Sequence, residues 1–298
     1  MGEYRKGVML AWAANILWGV YPVLFKQLDG IDPGVFVAYR LLYSAPFLLI
    51  IVFAFRQQHE IFRIIRNPSV MRLLMVSTAL MGCNWGLYIW GVQNGRIIES
   101  SLGYFLTPVF SVIVGVLFFN ERLAPRQWLA VAIAGTGVVC MAVTTGYIPW
   151  YGLLLGLAFT LYGAVRKLVQ VEALNGVLVE TLILLPIGLA LLWLAPSDSF
   201  GHTQSEQMWL GIAGIVTALP LVWYIAAARR IPLATLGNLF YFCPAIGFGL
   251  GVFVYDEEFT GHHLVMFMLI WIGLSVYMLP AGFLRSRRNT IPRGEMSI

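Results

Sequence analysis

Apolar residues fall in ten long runs separated by short polar stretches. The runs cover residues 8–25, 35–55, 73–92, 100–119, 127–145, 148–165, 177–195, 208–228, 233–255 and 264–284. A helix rising ~1.5 Å per residue needs about 20 residues to cross a ~30 Å hydrocarbon core, and most of the runs reach or approach that length. Each run is continuous rather than alternating, which predicts helices and disfavours a β-barrel. The fifth and sixth runs nearly touch, so residues 146–149 are expected to form a very tight turn. The pattern predicts an all-α integral membrane protein with ten transmembrane helices.

Composition agrees. Apolar residues make up 59% of the chain and charged residues 11%, against about 25% charged in ordinary soluble domains. The net charge of +5 does not indicate nucleic acid, because the basic residues sit in short loops between apolar runs. Put the N-terminus in the cytoplasm and all lysines and arginines except Lys26, Arg96 and Arg40, 16 of 19, fall in inside loops. That bias predicts a multi-pass protein of the bacterial inner membrane with both termini cytoplasmic. Cys83, Cys140 and Cys243 all lie within apolar runs, where neither a disulfide nor a metal site is expected. The first run lacks a small-residue cleavage site followed by a soluble domain and is expected to be the first span.

The chain also repeats itself. An offset of 136 aligns Tyr88 with Tyr224, Pro108 with Pro244, Gly115 with Gly251, Glu121 with Glu257 and Gly137 with Gly273. An offset of 144 aligns Leu17-Trp18-Gly19 with Leu161-Tyr162-Gly163, and an offset of 140 aligns Pro46 with Pro186 and Arg40 with Glu180. Five is an odd number of helices, so the second copy must enter the membrane from the opposite side. The expected division is a first five-helix repeat over residues 1–146, an inverted second repeat over 147–285, and a basic cytoplasmic tail over 286–298. Inverted repeats recur in secondary transporters, with solute bound near the midplane between them.

These residues resemble the EamA family of the drug/metabolite transporter superfamily. The resemblance rests on Leu17-Trp18-Gly19 with Pro22, on Arg40, and on Pro108 followed by Asn120-Glu121-Arg122. Asn84-Trp85, Tyr88-Ile89-Trp90, Asn94-Gly95, Glu99, Ser101 to Phe105, and Tyr162-Gly163 with Arg166-Lys167 are similar to the RarD-type permeases within it. The resemblance spans nearly the whole chain. It implies two inverted five-helix EamA repeats and transport of small organic metabolites or drugs, with a link to chloramphenicol.

Two formal charges, Arg40 and Glu180, lie well inside the runs, where charges are expensive and mark functional candidates. Their matched positions in inverted helices put them at opposite depths, roughly 12 Å apart by helical rise, too far for a direct bridge. Arg40 suits an anionic or dipolar group and Glu180 a proton or a cation; the alternative is that each only holds the bundle together. Asn15 and Trp18, then Asn84, Trp85 and Tyr88, then Tyr104, Tyr162, Tyr224 and Tyr241 are the remaining candidates for lining a solute cavity. Pro108, Ser111 and Gly115, with their counterparts Pro244, Gly247 and Gly251, read as hinge and close-packing positions.

No cofactor is expected, and the acidic and histidine run at residues 256–263 matches no metal-ligand spacing. No nucleotide-binding loop or catalytic motif is present, which speaks against an enzyme. The expected partners are a small-molecule solute and the lipid bilayer, with proton coupling, exchange and facilitated movement all left open. The alternative is a non-transporting membrane sensor or assembly subunit.

Overall fold

The computed structural model describes residues 2–28, 31–93, 97–145, 150–196 and 203–254, with a few further positions between 268 and 276. Among the described residues the chain is helical, without strands. The helices are α1 (Glu3–Gly19), α2 (Tyr21–Gln27), α3 (Pro33–Ala54), α4 (Gln58–Arg66), α5 (Pro68–Gln93), α6 (Ile97–Phe119), α7 (Pro125–Thr145), α8 (Trp150–Leu168), α9 (Ala173–Leu194), α10 (Gln204–Ala228), α11 (Leu233–Phe240) and α12 (Phe242–Val254). Four stretches, Gly34–Ala54, Pro68–Tyr88, Ala173–Leu194 and Gln204–Ala228, are by length and composition long and apolar enough to cross a membrane. The tight turn expected at residues 146–149, the acidic run at 256–263 and most of the tenth apolar run lie outside the described residues.

Local chemistry sets the helix starts. Asp32 caps α3, its Oδ1 accepting from Gly34 N at 2.8 Å and Val35 N at 3.1 Å, with Pro33 in the first turn. Asn67 does the same for α5 through Ser69 N and Val70 N. Thr203 and Glu206 form a reciprocal capping box on α10. The chain leaves α6 through Asn120 in the left-handed region (φ 50°), and Glu121 N–H returns to the Gly115 carbonyl at 3.1 Å.

Three elements differ from the apolar-run reading. The first run is two helices, broken at Val20, and the ninth is two helices, broken at Tyr241. Each break precedes a proline, Pro22 or Pro244. A proline has no N–H to give the carbonyl four residues earlier, and its ring crowds that carbonyl. Pro46, Pro108, Pro186 and Pro220, by contrast, lie inside helices that continue. Third, α4 occupies a stretch too short and too polar to register as a run.

The closest helix pairings are α6 with α8, α3 with α9, α1 with α10, α5 with α8, α10 with α3 and α11 with α6. Large apolar side chains remain on the outside, including Trp193 at 85% and Phe118 at 72% exposure. Water would penalise such a surface and lipid does not. The interior holds Leu48, Leu155, Tyr162, Leu178, Tyr224 and Ile225.

Candidate functional site

α8 and the first half of α9 share a buried ion pair. Arg166 is fully buried on α8 and its Nε lies 3.5 Å from Glu180 Oε1 on α9. Glu180 also accepts from Ser77 Oγ on α5 and from Tyr162 OH at 3.1 Å. Room for the guanidinium comes from Gly176: a Cβ there would meet Arg166 Nη2 and Nη1 and sit 2.7 Å from Cζ. Among the described residues the guanidinium nitrogens make no hydrogen bond beyond this ionic contact. A buried Arg with five donors so poorly matched is held at high cost.

This corrects two expectations. Arg166 and Lys167 are not loop residues, because α8 continues through them to Leu168. Arg40 and Glu180 are therefore not the sole charges inside the bundle, and the counter-ion of Glu180 is Arg166. Arg40, on α3, instead stacks its guanidinium over the Trp85 ring, 4.0 Å from the centroid. That is cation–π geometry, and among the described residues it leaves Arg40 Nε and Nη2 buried without a hydrogen-bond partner.

A cluster of rings fills the middle of the bundle. Phe159 on α8 is its hub, with the rings of Phe240, Tyr224, Trp18, Tyr104 and Tyr162 between 5.1 and 6.3 Å away. Trp18 also meets Tyr224 at 5.6 Å, and Tyr104 meets Tyr88 at 6.1 Å. Asn84 is buried beside them, donating to the Leu155 carbonyl at 2.9 Å and accepting from Tyr104 OH at 3.4 Å. Five neighbouring helices thus contribute: α1, α5, α6, α8 and α10, together with α11 through Phe240.

Several polar atoms in this interior have no hydrogen-bond partner among the described residues. They are Asn15 Oδ1, Thr107 Oγ1, Ser111 Oγ, Tyr224 OH and Tyr241 OH. Asn15 uses its other polar atom, Nδ2, on the Ala11 carbonyl at 2.7 Å. Buried polar atoms in native proteins are nearly always paired, with protein, water or ligand. Ser111 and Gly115 face α11, where a Cβ on Gly237 would come within 2.7 Å of Ser111 Oγ. Pro244, Gly247 and Gly251 belong to α12, but their contacts lie outside the described residues. Phe159 and Ser77 are not singled out by the sequence, and Arg166 enters there only within the family motif, not as a buried charge.

Charged residues gather at one end. Lys167 Nζ lies 2.9 Å from Glu121 Oε1, and both Glu121 oxygens accept from the start of α11, at Leu233 N (2.6 Å) and Ala234 N (3.0 Å). The carboxylate thus occupies the positive end of a helix whose first donors have no partner within it. Arg230 bridges to Glu3 at 2.9 Å, and Gln57 donates to Glu172 at 2.8 Å. Lys6 and Arg230 beside Glu3 hold its carboxyl below the usual carboxylate range. Glu121→Ala should destabilise the protein by roughly 1–2 kcal/mol, the usual effect of losing a helix cap; thermal unfolding in detergent measures it, and an unchanged midpoint would contradict the cap.

Comparison with known proteins places this geometry. The profile of the EamA-like transporter family matches residues 5–143. A transporter of Pseudomonas aeruginosa is 38% identical over 283 residues, covering 93% of this chain and 94% of that protein. The RarD protein of Escherichia coli is 37% identical over 291 residues, covering 96% and 98%. A P. aeruginosa protein named chloramphenicol-sensitive protein RarD is 32% identical over 275 residues, covering 90% and 92%. A crystal structure of a protein 18% identical in sequence superposes with a TM-score of 0.75, covering 95% of this chain and 99% of the other, which shows a shared fold. With relatives this similar over nearly their whole length, the chain belongs to the EamA-like transporter family as a RarD-type permease of the bacterial inner membrane.

Proposed function

We propose that this permease moves a small organic solute by alternating access between two inverted five-helix halves, residues 1–146 and 147–285. The observation that carries the reading is the ring and amide cluster, which draws Trp18, Asn84 and Tyr104 from one half against Phe159, Tyr224 and Phe240 from the other. Rings with a few convergent polar atoms suit an amphipathic, aromatic solute. The unpaired oxygens of Asn15, Thr107, Ser111, Tyr224 and Tyr241 are the hydrogen-bonding groups available to it.

The helix contacts support the inversion. Exchanging corresponding helices of the two halves turns the α1–α10 pairing into α8–α5, and α3–α10 into α9–α5. It leaves α3–α9 and α6–α11 as they are. The charged end supports it too: α1 begins there at Glu3, whereas α8 finishes there at Lys167. This suits ten spans with both termini on the cytoplasmic side. A label on a cysteine at Arg122 should react from the inside and one at Glu258 from the outside; reaction from the same side would refute the inversion.

In this reading Glu180 is the group that exchanges its Arg166 contact for a proton or a cation during the cycle, and Arg40 meets the polar end of the solute. A ligand shifts the balance of two forms only by its unequal contacts with them, and a costly ion pair supplies such a difference. The test is transport by cells with and without the protein, using an untargeted panel of metabolites plus chloramphenicol, whose inclusion rests on the name of the P. aeruginosa relative. Arg40→Ala should abolish transport at normal protein levels. Full transport by that variant removes Arg40 from the path, and purified protein in liposomes that moves no solute favours a sensor or assembly subunit.

A further inference from the structure

α4 is built differently from the other helices. It joins two stretches long and apolar enough to span, Gly34–Ala54 and Pro68–Tyr88, so it lies where the chain turns at a membrane surface. Its Ile64 is buried against Leu74, Val169 and Val179, with Ile61 packed beside it. Phe62 is 61% exposed and Ile65 50% exposed, and Phe55 just before the helix is exposed as well. At ~100° per residue, His59, Arg63 and Arg66 fall side by side next to the Phe62 and Ile65 sector. All three polar side chains are exposed. With Phe62, Asn67 and Pro68 they line an open groove between α4 and the start of α5.

We propose that this groove binds the headgroup of an anionic phospholipid, with Phe62 and Ile65 seated among its acyl chains. Charge and exposed apolar side chains together select that occupant. Arg63 and Arg66 line the groove, Arg56 and Arg72 are exposed near it in sequence, and Phe62 and Ile65 are exposed as well, a mix of cations and apolar groups that suits the boundary between headgroup and acyl chain. Guanidinium pairs bidentately with phosphate, and two arginines three residues apart can hold one phosphodiester. Glu60 competes for Arg63, with which it makes a 2.8 Å bridge.

The test uses full-length protein in nanodiscs of phosphatidylcholine with graded phosphatidylglycerol, followed by native mass spectrometry of the lipids it retains. Wild type should keep phosphatidylglycerol in preference to phosphatidylcholine, and less of it as salt rises. R63Q/R66Q should lose roughly fivefold per arginine removed. E60Q, which frees Arg63, should retain more than wild type, and K6Q, an exposed charge elsewhere, should match wild type. Both arginines of the double variant are exposed, so it should elute like wild type on gel filtration. Equal retention of the two lipids by wild type overturns the proposal. So does a K6Q loss equal to that of R63Q/R66Q. Full lipid retention by R63Q/R66Q, with loss of a co-purifying protein, would assign the groove to that protein instead.

Discussion

Glu180→Ala will unfold more easily than wild type by roughly 3–5 kcal/mol, the usual effect of stripping one partner from a buried ion pair. The number is large because the remaining partner has nowhere to go. Arg166 is fully buried, its nitrogens make no other hydrogen bond, and Gly176 holds it in a fitted recess. Removing the carboxylate also takes the acceptor from Tyr162 OH; Ser77 Oγ loses it too but keeps the Leu74 carbonyl. Glu180→Gln keeps one carbonyl oxygen as an acceptor and should lose less. The double variant Glu180→Ala/Arg166→Met should recover most of the loss, because a buried pair replaced as a whole by apolar groups is often neutral. Denaturant or thermal unfolding in detergent reads all three. If Glu180→Ala unfolds with the wild-type midpoint, the two side chains are not a coupled pair. Gly176→Ala tests the recess separately, since its new methyl group takes the place of the guanidinium.

Gly156→Val is expected to prevent accumulation of folded protein. α6 and α8 form one of the closest pairings, and they meet backbone to backbone. A Cβ on Gly156 would strike the Gly103 carbonyl oxygen and come within 3.3 Å of its carbon. One on Gly103 would strike the Gly152 oxygen and lie 2.9 Å from its Cα. A flexible side chain could swing aside, but a helix backbone cannot, so the two helices must part. Close approach at small residues is what holds helices together in lipid, where burial from water contributes nothing between them. Ordinary overpacking costs about 1–3 kcal/mol; separation of two helices that support the ring cluster costs more. Gly156→Ala should be the milder member of the series. Monodisperse yield after detergent extraction measures the effect, and wild-type yield for Gly156→Val would show that α6 and α8 need not touch here.

The helices were legible because long apolar runs have few other solutions. Within the described residues α5, α6, α7, α8, α9 and α10 start and stop close to the runs that predict them. Asn84, Tyr104 and Trp18 stand out in the sequence because polar or large amphipathic side chains inside such runs are conspicuous, and the structure brings them to one cluster. Phe159 did not stand out: one more phenylalanine among leucines carries no signal, although it proves to be the hub. Arg166 was hidden for the opposite reason. Next to Lys167 at the end of a run, it reads as an ordinary loop cation, and the glycine that receives it lies on another helix. α4 was missed since nine amphipathic residues do not form a run.

The interruptions at Val20 and Tyr241 bear on how the protein meets bilayers of different thickness. An unbroken span matches a thinner or thicker membrane by tilting along its whole length. α1 packs on both α11 and α12, so the two jointed spans lie against each other. There the short piece of each, α2 beyond the far end of α1 and α11 at the charged end, can lean while the longer piece stays upright. Lipid thickness would then reach the ring cluster as a bend at two elbows, making transport rate sensitive to acyl-chain length even where solute affinity is not.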